Sequence, residues 1–180
     1  RDVSKRDWYY DDVVYVYRNG YMDGMSSTRF GGELNTTRGQ IVTILWRLTG
    51  EPGASSRCPF NDVSSRQYYY DAVCWAYEAG VVDGFDAHTF KPDQNVTREQ
   101  LAAILYRYAE YMNLSTGGSA YLGKYNDENR IANWAYDAMA WANYHGIING
   151  TSATRISPKG YATRAQIAAM LHRFAVEFGA

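Results

Sequence analysis

The chain has 180 residues, with 46% hydrophobic and 21% charged residues, enough apolar content to bury a real core and too much for a disordered tail. Its formal net charge of −1 leaves no basic field to hold nucleic acid or an anionic membrane surface. No stretch approaches the roughly 20 apolar residues of a membrane span, which excludes insertion by that route.

In chain order, Arg1-Asp2-Val3 opens directly on what proves to be a repeat motif, so the sequence reads as a piece cut from a longer chain. A shift of 60 overlays Asp2-Val3-Ser4 on Asp62-Val63-Ser64, Asp23-Gly24 on Asp83-Gly84, and Thr37-Arg38 on Thr97-Arg98. A further shift of 66 overlays Tyr68, Asp71, Gly80 and Thr97-Arg98 on Trp134, Asp137, Gly146 and Thr163-Arg164. Near Asp127 the shift is 65, which places one inserted residue between Asp127 and Trp134. The units are therefore 1–50, 60–112 and 125–178, joined by turn-rich linkers at 51–59 and 113–124.

Each unit reads as helix, loop, helix. The first helix of the second unit is expected from about Tyr69 to Ala79 and stops at Gly80, a residue suited to a left-handed cap. A tight Asp-Gly or Asn-Gly turn and a short extended piece follow. The second helices begin at Thr37, Thr97 and Thr163, with apolar faces Ile41/Ile44/Leu45/Leu48, Leu101/Ile104/Leu105/Tyr108 and Ile167/Met170/Leu171/Phe174. That i, i+3, i+4, i+7 spacing marks three amphipathic helices, which bury their stripes against one another in a central bundle.

The helix starts share the pattern Thr-Arg-x-Gln. Thr at the cap with Gln three residues on is a capping box, so folding alone accounts for both. Arg at the first helical position is placed against the helix dipole, and asks for a partner three times over. Two readings stay open at this point. Either Arg38, Arg98 and Arg164 pair with internal carboxylates, for which Asp11/Asp71/Asp137 and Asp23/Asp83 (with the polar Asn149) are candidates, or they meet an external anion at the helix N-terminus. The arginines in the last turns, Arg47, Arg107 and Arg173, sit where the dipole favours a cation. Cys58 and Cys74 form no disulfide framework; one bridge between them and a buried thiol at Cys74 are both compatible with the sequence.

The ordered set of motifs resembles three tandem S-layer homology (SLH) domains: an Asp-Val-Ser-type opening, an aromatic-rich first helix, Asp-Gly or Asn-Gly, Phe-x-Pro or Ile-Ser-Pro, then Thr-Arg-x-Gln. The Thr-Arg-x-Gln form is similar to that of surface proteins of Gram-positive, Clostridia-like bacteria. The resemblance implies an all-α, pseudo-threefold, three-pronged spindle around a central three-helix bundle. It also implies a secreted, non-enzymatic module at the cell surface. Such a module anchors its parent non-covalently to a secondary cell-wall polymer ending in pyruvylated N-acetylmannosamine. Carried over by position, Arg38, Arg98 and Arg164 are the implied carboxylate receptors, and Asp23-Gly24, Asp83-Gly84 and Asn149-Gly150 line the same grooves. Trp75 and Trp141, with Tyr15 at the matching place, are expected to stack on sugar. Trp8, Tyr68 and Trp134 are further candidates, with core packing the blander expectation for them.

Several departures stand out. Gln40, Gln100 and Gln166 replace the family's usual Glu, Asn149 replaces Asp, and Gly31-Gly32 and Gly39 suggest that repeat 1 is the most flexible and the grooves unequal. No nucleophile elbow, Walker loop or zinc signature is present, and no cofactor or metal is expected. A protein-binding scaffold in envelope assembly is the alternative, and the oligomeric state is open.

Overall fold

The computed structural model describes residues 2–179. Six helices carry the fold: α1 (Tyr10–Arg18), α2 (Arg38–Leu48), α3 (Tyr70–Glu78), α4 (Arg98–Tyr111), α5 (Tyr136–Tyr144) and α6 (Arg164–Phe178). The residue inserted in the third repeat is absorbed by two short 3-10 turns, Glu128–Arg130 and Asn133–Ala135, tied down by a 2.5 Å hydrogen bond from the Tyr136 hydroxyl to Glu128. Among the described residues no β-strand forms; pairing is limited to isolated bridges.

Local chemistry sets the helix ends. Gly20, Gly80 and Gly146 take φ of 72°, 70° and 68° just past the first helices. After α3, Gly80 N–H donates to Tyr77 and Val81 N–H to Ala76, the two bonds of a Schellman close, and the other first helices repeat it. All three second helices have complete capping boxes: Thr37, Thr97 and Thr163 each accept from the Gln N–H three residues on, and each Gln accepts the cap's own N–H.

The helices do not pair within repeats. The close packings are α2 on α3, α4 on α5 and α6 on α1, so each second helix lies against the first helix of the next repeat, and the third returns to the first. The packing unit therefore straddles two repeats. Apolar stripes from α2, α4 and α6 still meet at the centre. Tyr108 of α4 packs on Phe174 of α6, centroids 5.7 Å apart, and its hydroxyl lies 3.0 Å from Thr49 at the end of α2. Every stripe residue but the partly exposed Leu48 is buried.

A closed backbone ring lies between the three repeats. Thr36 N–H donates to Ala162 O (3.0 Å), Ala162 N–H to Val96 O (3.0 Å) and Val96 N–H to Thr36 O (2.9 Å). All three residues are fully buried. They occupy equivalent places one residue before each capping Thr, so the ring is the structural signature of the pseudo-threefold relation.

Two features read from sequence as weaknesses of repeat 1 turn out to be fitted. Gly31 has φ 74°, at the position where Lys91 and Ser157 are held at 56° and 53°, so glycine is the residue that meets the requirement there without strain. At Gly39 a Cβ would fall 3.0 Å from the Tyr69 ring and 3.2 Å from Pro92 O, in a seam with no spare volume. The variable position of Thr-Arg-x-Gln is therefore not free. Gly39 faces the large Tyr69. The equivalent Glu99 is buried where repeat 3 has the small Ala135 in place of that Tyr, and it reaches Lys159 Nζ (2.5 Å) and Ala132 N (3.0 Å).

In the central ring, Thr36 Oγ1 is buried without a hydrogen-bond partner, where repeat 2 has Val. Desolvating an unpaired hydroxyl costs roughly 1–3 kcal/mol. Thr36→Val keeps the shape and removes the cost. We expect it to raise stability by about 1–2 kcal/mol, read as a higher thermal midpoint in calorimetry; a lower midpoint would show that the hydroxyl has a partner in solution.

Candidate functional site

The site is built from the helix starts outward. The four N–H groups at the start of each second helix are all used. In α2 the cap N–H goes to Gln40 Oε1 (3.0 Å), Arg38 N to Gln94 O (2.9 Å), Gly39 N to Pro92 O (2.8 Å) and Gln40 N to Thr37 Oγ1 (3.3 Å). In α4, Arg98 N and Glu99 N reach Gly160 O and Pro158 O; in α6, Arg164 N and Ala165 N reach Leu34 O and Gly32 O. Each helix thus plugs its first turn into the extended loop of the following repeat. Of the two readings left open, the one that gives these N–H groups to an external anion is corrected, because the following repeat's loop and the helix's own capping box already occupy them.

The guanidiniums follow the same cyclic order. Arg38 donates through Nε to Phe90 O (2.8 Å) and through Nη2 to Asp83 O (3.0 Å). Arg98 donates to Ile156 O (3.0 Å) and Asn149 O (2.5 Å). Arg164 donates to Phe30 O (2.9 Å) and to Asp23 O. The internal partner is therefore a pair of backbone carbonyls, not a carboxylate. Asp11, Asp71 and Asp137 are exposed on their helices. Asp23 and Asp83 turn instead to Arg47 (2.7 Å) and Arg107 (2.6 Å). Only Arg47 lies in a last turn, because α4 and α6 run on for more than a turn past Arg107 and Arg173 and correct that expectation for both.

This leaves three largely buried cations that, among the described residues, have no carboxylate at ion-pair distance. Burial pulls the pKa of all three guanidiniums down, Arg98 to about 10, so each remains charged at neutral pH. Two of the five N–H donors of each guanidinium are committed to carbonyls, and Arg98 and Arg164 also line grooves.

Two grooves each draw on all three repeats. One, of about 370 Å³, is lined by Arg98, Asn149-Gly150, Gln166, Arg173 and Trp8. A second, of about 380 Å³, is lined by Arg164, Asp23-Gly24, Gln40, Arg47 and Tyr68. Both lie within the usual range of small-molecule sites. The third set is Arg38 with Asp83-Gly84, where Arg107 holds Asp83. The turn glycines are required by space: a Cβ on Gly24 would fall 2.6 Å from Ser26 O, and one on Gly150 2.9 Å from Arg155 O.

The aromatic assignments are reversed. Trp75 and Trp141 are 3% and 1% exposed; they pack edge-on to Tyr111 and Tyr106 and cannot reach a sugar. Tyr15, at the matching place, is half-buried and stacks on His172 at 4.2 Å. All three are structural because the first helix presents that position to the second helix of a neighbouring repeat or to its own repeat's following helix. Of the six candidate rings, the exposed ones are Trp8 (65%), Tyr68 (61%) and Trp134 (62%), and the first two line the grooves just described.

Sequence reasoning missed one set of positioning residues. The opening aspartates Asp2, Asp62 and Asp127 each accept two N–H bonds from the loop that carries the arginine-binding carbonyl: Phe30/Gly31, Phe90/Lys91 and Ile156/Ser157, all at 2.7–2.9 Å. Their threefold recurrence in Asp-Val-Ser or equivalent openings was the available signal. Cys58 and Cys74 are both free thiols. Burial, with Cys74 beside it, pushes the Cys58 thiol up to about 12, so it is a poor nucleophile.

With this geometry established, comparison with known proteins assigns the family. The model of the S-layer homology domain matches residues 1–42, 59–102 and 124–168, more than half of the chain. The chain belongs to the S-layer homology family. It is 29% identical over 168 residues to "Exoglucanase XynX" of Acetivibrio thermocellus, covering 93% of this chain and 15% of that protein. It is 32% identical over 170 residues to an endoglucanase of Bacillus sp. (strain KSM-635), covering 94% and 18%. It is 24% identical over 161 residues to a "Cellulosome-anchoring protein" of Acetivibrio thermocellus, covering 87% and 35%. The SLH chain thus spans less than a fifth of either enzyme, and no helix among its described residues is long and apolar enough to cross a membrane.

For Asp2 and Asp127 burial raises the carboxyl pKa, and the backbone N–H bonds outweigh it, so both sit below their ordinary value. In the unfolded chain such a group titrates near ~3.9. The stabilisation is therefore complete above that value and is lost as pH falls through the lower folded-state pKa. Asp127→Asn should lower the thermal midpoint at pH 7, with the deficit shrinking as pH approaches 3. A deficit independent of pH in a series of melting curves would remove Asp127 from the acid response.

Proposed function

We propose that this SLH chain is a non-covalent, non-enzymatic cell-wall anchoring module of an extracellular surface protein. It takes the acidic end of a secondary cell-wall polysaccharide into the grooves between repeats. The observation that carries this is the three guanidiniums, buried at Arg98 and Arg164 and half-buried at Arg38, held by carbonyls and left without carboxylates. A buried cation lacking an internal counterion is costly to fold, and a binding anion removes that cost. A carboxylate displayed on a sugar, such as the pyruvate ketal of N-acetylmannosamine, accepts charge-assisted bonds from the groove-facing guanidinium donors. Trp8, Tyr68 and Trp134 supply exposed faces for sugar rings. One relative's description as a cellulosome-anchoring protein and the enzymes' additional length fit a module that carries cargo.

Because Arg38, Arg98 and Arg164 also join repeats, the cleanest test changes the ligand. Calorimetric titration with pyruvylated wall polymer should show binding. The same polymer after mild-acid removal of the ketal should bind at least tenfold more weakly, the scale of one charge-assisted bond. Equal binding to both would move recognition off the acid group. Binding to neither would favour a protein-binding scaffold in envelope assembly.

A further inference from the structure

The three arginine sites share one plan but differ in charge. Beside Arg164, Arg47 is neutralised by Asp23 at 2.7 Å, and beside Arg38, Arg107 is neutralised by Asp83 at 2.6 Å. Where those aspartates stand, the groove between repeats 2 and 3 has Asn149, whose amide is turned to Gly146 O at 3.2 Å. Among the described residues Arg173 consequently has no ion pair, and it lines the same groove as Arg98. No acidic side chain lines that groove. Counting the named groups, its formal charge is two positive, from Arg98 and Arg173, against one positive in each of the others.

A second difference points the same way. Arg38 and Arg164 lie over the rings of Phe90 and Phe30, at 4.5 and 4.7 Å from the centroids. These π faces partly balance their charge. Arg98 has Ile156 in that place and gets no such balance. It is also the more buried case, 3% exposed, with the nearby Arg173 opposing its charge.

We infer that the groove formed by Arg98, Asn149 and Arg173 is the tightest anion receptor of the three, and that Asn149 sets this rank by leaving Arg173 free for the ligand. The inference rests on the glycan-anion reading above. The occupant is the acidic terminal sugar. A second acidic group on that sugar is accommodated here and repelled by Asp23 or Asp83 in the other grooves.

The test follows the arginine side chains one by one. Their Nε–H groups are held on carbonyls, which favours resolved NMR signals for Arg38, Arg98 and Arg164 in the full chain. Titration with the methyl glycoside of pyruvate-ketal N-acetylmannosamine should half-shift Arg98 at about tenfold lower concentration than the other two. Asn149→Asp, which recreates the pairing seen in the other repeats, should abolish that lead without moving Arg38 or Arg164. Asn149→Ala, which adds no carboxylate, should keep it, and Asp23→Asn should bring Arg164 toward the Arg98 value. Equal half-shifts in the unmodified chain, or an unchanged lead in Asn149→Asp, overturn the ranking and leave the glycan reading standing. A titration in which none of the three signals moves removes the glycan reading and the ranking with it.

Discussion

The plug of each second helix into the loop of the next repeat organises the molecule. The first two N–H groups of α2, α4 and α6 and two donors of the arginine that follows each cap all end on carbonyls of the following repeat. Orphan donors at a helix start must be satisfied somewhere, and here they are satisfied in trans between repeats. The loop that receives them is in turn held by the repeat's own opening aspartate. The order of contacts is therefore aspartate, loop, arginine and helix start, passed around the three repeats and closed by Thr36, Val96 and Ala162. A linear repeat array has ends that can fray independently. A closed cycle has none, so loss of one plug exposes two repeats at once.

The same contacts make the grooves. An arginine that used all its donors internally would be a structural staple and nothing else. One paired with a carboxylate would have its charge cancelled. Carbonyls hold the guanidinium rigidly and leave the charge uncancelled, which is the combination a preorganised anion receptor requires. Lysine has the charge but not the fork: its ammonium has no fixed plane in which to bridge Phe90 O and Asp83 O while presenting donors to solvent. Under the proposed anion-receptor reading, the residue type at this position follows from the double demand.

Much of this was legible from residue patterns, and the division is physical. Capping boxes, glycine stops and the apolar stripes are local rules within a few residues, and all three recur where the periodicity places them. The partners of Arg38, Arg98 and Arg164 were not legible, because backbone carbonyls carry no side-chain signature and lie 45 to 141 positions away in sequence. The aromatic assignments failed for a related reason. Trp75 and Trp141 sit on short first helices with one face buried by each neighbour, and nothing local tells which of two aromatic positions turns inward. The variable residue inside Thr-Arg-x-Gln looked free because its constraint is volume shared across a seam. Glycine is opposed to Tyr69, and Glu99 fills the space left where repeat 3 has Ala135.

Triplication also explains how the grooves can differ without endangering the fold. The elements that close the cycle are backbone bonds and three equivalent arginines, insensitive to most side-chain changes. The side chains of Asn149 and Arg173 face the groove, and Asn149 enters the plug only through its backbone carbonyl, which any residue type supplies. Replacing an aspartate by asparagine there unpairs a cation at a partly solvated rim, where an ion pair contributes only about 0–1 kcal/mol to stability. The same change acts on a ligand brought into the groove with water excluded, where the effective dielectric is lower and the charge counts for more. Under the proposed anion-binding reading, divergence of the three sites is thus nearly neutral for folding and consequential for binding, which is the condition under which copies of one repeat can specialise.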